Sequence, residues 1–154
     1  MSIFRFPLIV SSLLIAVGAL SACDSIQTGK PPNVVEMKAA MTAAKEIPPK
    51  NSNGSGYAFV SFNEATRALT WKVYFSDLTG PATAAHFHGP ADPTANAGVA
   101  IALGGGAPMS PVTGSATLTE VQAAQLMGGM WYINVHTQAN PGGEIRGQVL
   151  QEAW

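Results

Sequence analysis

All three histidines of this 154-residue chain fall in two short motifs. The first is His86-Phe87-His88-Gly89 and the second is Asn134-Val135-His136-Thr137. On an extended strand, residues i and i+2 point to the same side. His86 and His88 can therefore face one metal ion while Phe87 points the other way. His136, near the end of another strand, would add a third imidazole. Three imidazoles from two strands, with one coordination position open, suit copper first and zinc second. A histidine can equally be a structural residue held by hydrogen bonds. From spacing alone the two readings stand level.

Glu144-Ile145-Arg146 is the next stretch with chemical content. Glu144 and Arg146 are also spaced for one face of a strand. One reading is an exposed ion pair worth about 0–1 kcal/mol. The other places them behind the metal ligands. A carboxylate that accepts the free ring N–H of a ligand histidine fixes its tautomer and raises its basicity. The turn Asn140-Pro141-Gly142-Gly143 would bring Glu144 back beside His136. Asn134 carries the same two readings. Methionine thioethers bind Cu(I), but the chain has no Met-x-Met cluster, so its methionines read as core.

Other chemistries lack a starting residue. There is no glycine loop with phosphate-cradle spacing and no Gly-x-Ser-x-Gly elbow. The acidic residues are scattered singly. No catalytic residue is assigned. The net charge is −1 and only 11% of residues are charged. Without a basic stripe, nucleic acid is not an expected partner.

The elements that must position the histidines are short strands. The chain has 16 glycines and 11 prolines, punctuation that fits strands and turns better than a helical bundle. Strands are expected at 34–41, 56–62, 69–75, 82–88, 99–103, 114–118, 131–137 and 144–150. The clearest has Leu69, Trp71, Val73 and Phe75 alternating with Thr70, Lys72 and Tyr74. The first set should face the core, where burial contributes on the order of 2 kcal/mol per side chain. Thr119-Glu120-Val121-Gln122 has the pattern of a capping box, so a helix of two turns should follow and stop at Gly128 or Gly129. Strands at this spacing predict an all-β, antiparallel sandwich with one short helix.

The first segment reads as a targeting signal. Arg5 gives a positive start, and residues 8–20 form an apolar run too short for a comfortable membrane span. The run ends in Leu20-Ser21-Ala22-Cys23, which resembles the bacterial lipobox. That resemblance implies cleavage before Cys23, lipidation of its thiol, and attachment to a membrane without spanning it. Residues 1–22 would be the signal peptide and residues 23–33 a flexible tether rich in polar residues. The domain proper would span residues 34–152. The expected location is the bacterial cell envelope, on the periplasmic side, anchored to the inner or outer membrane. Asp24 resembles an inner-membrane retention residue.

Four motifs stand in order along the chain. They are Lys45-Glu46-Ile47-Pro48-Pro49, then Ala85-His86-Phe87-His88-Gly89-Pro90, then Tyr132-Ile133-Asn134-Val135-His136-Thr137, then Pro141-Gly142-Gly143-Glu144-Ile145-Arg146-Gly147-Gln148. Together they resemble the CHRD domain, named for its occurrence in chordin. The resemblance implies an immunoglobulin-like sandwich and an exported protein. More loosely, the His-x-His and Asn-x-His elements are similar to those of Cu,Zn superoxide dismutase, another sandwich. The dismutase copper site uses four imidazoles. Three histidines exclude a full two-metal site of that kind, leaving a single copper on His86, His88 and His136.

Three functions follow. The first is an envelope lipoprotein that buffers or delivers copper. The second is a non-catalytic module whose histidines brace the fold and whose partner is a protein or glycan. The third is a copper-dependent enzyme of dismutase type.

Overall fold

The computed structural model describes residues 32–151. The expected leader over residues 1–22, the lipid acceptor Cys23 and the tether up to residue 31 lie outside the described residues. Among the described residues no helix is long and apolar enough to cross a membrane.

The fold is an all-β antiparallel sandwich with one short helix. Its strands are β1 (Val34–Thr42), β2 (Ser55–Asn63), β3 (Ala68–Ser76), β4 (Ala82–His88) and β5 (Val99–Ala102), followed by β6 (Val112–Thr117), β7 (Tyr132–Thr137), β8 (Ile145–Gln148) and β9 (Leu150–Gln151). A 3₁₀ turn, Ala43–Lys45, follows β1, and helix α1, Glu120–Met127, connects β6 to β7. The strands run in the order β5-β4-β7-β8-β1-β2-β3-β6, with β9 pairing β1. Between β8 and β1 the ladder narrows to one pair, Thr42 with Arg146. There the sheet folds over, so that one leaf is β5-β4-β7-β8 and the other is β1-β2-β3-β6.

Period-2 alternation fills the space between the leaves. Leu69, Trp71 and Val73 of β3 are buried, as are Phe87, Ile133, Val135 and Ile145 of the facing leaf. The Trp71 and Phe87 rings meet edge to face across the core, with centroids 5.5 Å apart. Phe75, expected in the same core row, is only half-buried because it stands near the end of β3. Helix α1 has the expected capping box: Gln122 N–H donates to the Thr119 hydroxyl, and Thr119 N–H donates to the Gln122 side chain.

The strand expected over 144–150 is two strands. The chain ladders with β7 up to Gln148 and with β1 from Leu150. Between them Val149 is fully buried, and its N–H donates to Trp131 O at 2.9 Å. The sixth strand starts two residues earlier than expected, at Val112, and the fifth ends one residue earlier, at Ala102.

The outer face of the first leaf is unusual. His88, Asn134, His136 and Arg146 all point away from the core, yet all are buried. The segment 90–98 lies over His88 and Arg146, while Asn134 and His136 bond to the turn at Pro141 and Gly142. The segment is tied down by Arg146, which donates to Asn96 Oδ1 at 2.9 Å and to Ala95 O at 2.7 Å. Gln148 Nε2 adds a bond to Ala91 O at 2.9 Å. A polar sheet face bonded to the backbone carbonyls of that segment is the frame of the candidate site.

Candidate metal centre

His86 and His88 sit on β4, with Phe87 between them turned into the core. His136 sits on β7. The cross-strand partner of His136 is Ala84, and that of His86 is Asn134. His86 and His136 are thus diagonal neighbours, close enough for their rings to touch. Ala84, opposite His136, is small and leaves them room. His86 Nδ1 lies 3.0 Å from His136 Nε2. One ligand nitrogen from each of His86, His88 and His136 lies within 4.8 Å of the others.

Two of the three rings are oriented from behind by backbone carbonyls. His88 Nδ1 lies 3.0 Å from Ala97 O, and His136 Nδ1 lies 2.9 Å from Pro141 O. Each Nδ1 must carry the proton to make that bond, which leaves Nε2 with its lone pair. His88 Nε2 is buried and has no hydrogen-bond partner. A buried acceptor without a donor costs free energy unless something else satisfies it. Burial lowers the pKa of His86, and the neighbouring His136 and His88 lower it further. Burial also lowers that of His136, against the Pro141 carbonyl bond, which raises it. Both rings are thereby kept neutral, the form that binds metal.

The other expected residues divide. Arg146 is the cross-strand partner of Asn134. Its guanidinium stacks on Tyr132, 3.6 Å from the ring centroid. Tyr132 in turn stacks on His88, with centroids 4.9 Å apart and planes 5° from parallel. Arg146 therefore reaches a histidine through Tyr132, while its donors hold segment 90–98. Asn134 Nδ2 faces Gly142 O at 3.5 Å and Asn134 Oδ1 has no partner, so Asn134 contacts none of the ligand rings through a hydrogen bond.

Glu144 does not orient His136. Its carboxylate accepts from the Ser52 hydroxyl, from Thr79 N at 2.8 Å, from Thr79 Oγ1 and Thr137 Oγ1 at 2.6 Å, and from Asn140 Nδ2 at 3.2 Å. Thr137 points to the opposite face of β7 from His136. The reason is the turn. Glu144 precedes β8, and Gly143 has φ +123, so the regular alternation back from Arg146 does not extend to it. An added Cβ at Gly143 would also lie 2.5 Å from Glu46 Oε1. The task expected of Glu144 falls instead to the carbonyl of Pro141.

Three participants were not singled out from the sequence. The carbonyls of Ala97 and Pro141 leave no side-chain signature. Tyr132 does, since it shares the parity of Asn134 and His136 on β7 and could have been placed on their face.

A family model described as the CHRD domain matches residues 37–149. No curated protein and no solved structure matches the chain. The matched span contains the three histidines, both carbonyls behind them, most of β1 and all of β2 to β8, and the chain belongs to the CHRD domain family.

Proposed function

We propose that this protein binds one metal ion through His86, His88 and His136, and that it is an envelope-anchored lipoprotein that buffers or delivers copper. The observation that carries the reading is the convergence of three imidazole nitrogens within 4.8 Å, together with the unpartnered Nε2 of His88. The lipobox-like Leu20-Ser21-Ala22-Cys23 supports the anchor. Backbone carbonyls behind His88 and His136 preset both rings to bind through Nε2. Among the described residues the cluster contains no carboxylate or thiolate. An all-imidazole set suits copper and zinc, and the Irving–Williams order places Cu(II) above Zn(II). Binding would replace the proton shared between His86 and His136.

A second reading has one observation in its favour. The His86–His136 hydrogen bond satisfies one nitrogen of each ring without any metal. On that reading the histidines brace the outer face of a module that binds a protein or glycan. The dismutase-type reading gains no observation beyond the cluster itself.

The test is a titration of the purified protein with Cu(I), Cu(II) and Zn(II), followed by thermal unfolding. One equivalent of tight binding should raise stability by about 2.7 kcal/mol at a free metal concentration a hundred times Kd. The gain should vanish in His86→Ala and His136→Ala. If the metal-free variants are already as destabilised as the metal-loaded ones, and wild-type protein shows no gain, the bracing reading holds instead.

A further inference from the structure

A cavity of about 560 Å³ opens on the outer surface where the two leaves join, beside segment 90–98. It is independent of the three histidines, none of which lines it. The volume lies inside the range of about 300–1,000 Å³ usual for small-molecule sites. Its walls come from β1, the 3₁₀ turn and the residues after it, the 90–98 segment, β8 and β9.

The lining has two characters. Ala44, Ile47, Pro49, Pro93 and Leu150 give it apolar walls. Leu150, at the rim, is 53% exposed, an apolar side chain half open to solvent. Around these walls stand three cationic side chains, Lys38, Lys45 and Arg146. Lys45 is held against the wall, since its Nζ donates to Ala40 O at 2.7 Å and Ala40 also lines the cavity. An ammonium has three donors, so this bond places the charge without using it up. Glu46 is the one acid in the lining, and it is buried, 4% exposed, with the charges of Arg146 and Lys50 acting on it. The guanidinium of Arg146 is buried and bonded to Asn96 and Ala95, so the cationic groups at the mouth are the lysines, with Lys45 exposed at the surface.

We infer that this cavity binds a small amphiphilic anion: an apolar body against Ile47, Pro49, Pro93 and Leu150, and a carboxylate or phosphate head at Lys45. Lys45 supplies the charge complementarity, and the ligand body would cover the exposed half of Leu150. Desolvated contact with the apolar walls and a charge-assisted bond to the ammonium would act together.

The probe is 8-anilinonaphthalene-1-sulfonate, an aromatic body with one anionic group. It is titrated by fluorescence into the purified protein and then displaced with decanoate, monodecyl phosphate or decanol. Saturable one-to-one binding is expected, with displacement by decanoate or decyl phosphate and not by decanol at equal concentration. Whichever anion displaces at lower concentration names the head group. Lys45→Glu should weaken the probe at least tenfold, Lys45→Gln less, and Ala44→Trp should abolish binding by filling the cavity. Lys72→Glu, on β3 and outside the cavity lining, should leave it unchanged. Circular dichroism identifies any variant that fails to fold, and the remaining substitutions then decide. Absence of saturable binding, equal affinity in the Lys45 and Ala44 variants, or displacement by decanol as readily as by decanoate would overturn the inference.

Discussion

Glu46 and Glu144 are both buried carboxyls, and their surroundings drive them in opposite directions. For Glu46, burial is the largest influence and raises the pKa to about 6, against the charges of Arg146 and Lys50 and the side chain of Asn134. For Glu144, burial also pushes upward, but hydrogen bonds from Ser52, Thr137 and Thr79 outweigh it and hold the pKa at about 2. The signs for stability follow. A raised carboxyl pKa means that the folded state binds its proton more tightly than the unfolded state. Ionised Glu46 therefore costs stability above pH 6, and that cost is relieved as pH falls toward 4.5. Glu46→Gln should stabilise the protein by about 1–2 kcal/mol at pH 7, with the advantage gone near pH 4.5. A lowered carboxyl pKa does the reverse. Glu144 contributes stability above pH 4.5 that is lost as pH falls toward 2, so Glu144→Gln should cost about 2–3 kcal/mol at pH 7 and little near pH 2. Chemical denaturation of the three proteins across pH checks both signs. At this scale the pairing of His86 and His88 on one face was legible from their parity, while spacing alone left the convergence of His136 and the bracing reading level. The role of Glu144 was not, because one glycine at positive φ decides which face its side chain takes.

Elements hold these residues in place, and the end of β4 shows how tightly. Gly89 follows His88 directly, and an added Cβ there would lie 2.3 Å from Trp131 Cδ1. The indole occupies the space that a side chain would need, and Trp131 is itself fully buried at the entry to β7. Gly89→Ala should therefore cost about 1–3 kcal/mol by overpacking. Gly80→Ala, where a Cβ would meet nothing within 4 Å, should be near neutral. Thermal unfolding of the two variants side by side measures the difference. The strands were legible wherever apolar residues alternate, as in β3, and α1 was legible from its capping box and glycine stop. The break at Val149 was not. Its cause is a change of ladder partner from β7 to β1, which depends on where the leaf folds over and leaves no mark in the local pattern.

Across the whole molecule, the sandwich separates two kinds of burial. Between the leaves lie apolar side chains, while on the outer face of β4, β7 and β8 lie histidines, Asn134 and Arg146, with segment 90–98 over His88 and Arg146. That segment holds three polar side chains, Asp92, Thr94 and Asn96, spaced among alanines, prolines and a glycine, with no large apolar residue to mark it as a cover for the sheet. The cover is what orients His88, through the carbonyl of Ala97. The most direct measurement of the central claim is therefore nuclear magnetic resonance of ¹⁵N-labelled histidine rings during titration with Cu(I) and Zn(II), both diamagnetic. The account predicts that the Nε2 signals of His88 and His136 move together at one equivalent of metal, with a nitrogen of His86, while Nδ1 of His88 and His136 stays protonated on its carbonyl. Ring signals unchanged by metal, or binding through Nδ1 of His88 or His136, would contradict it.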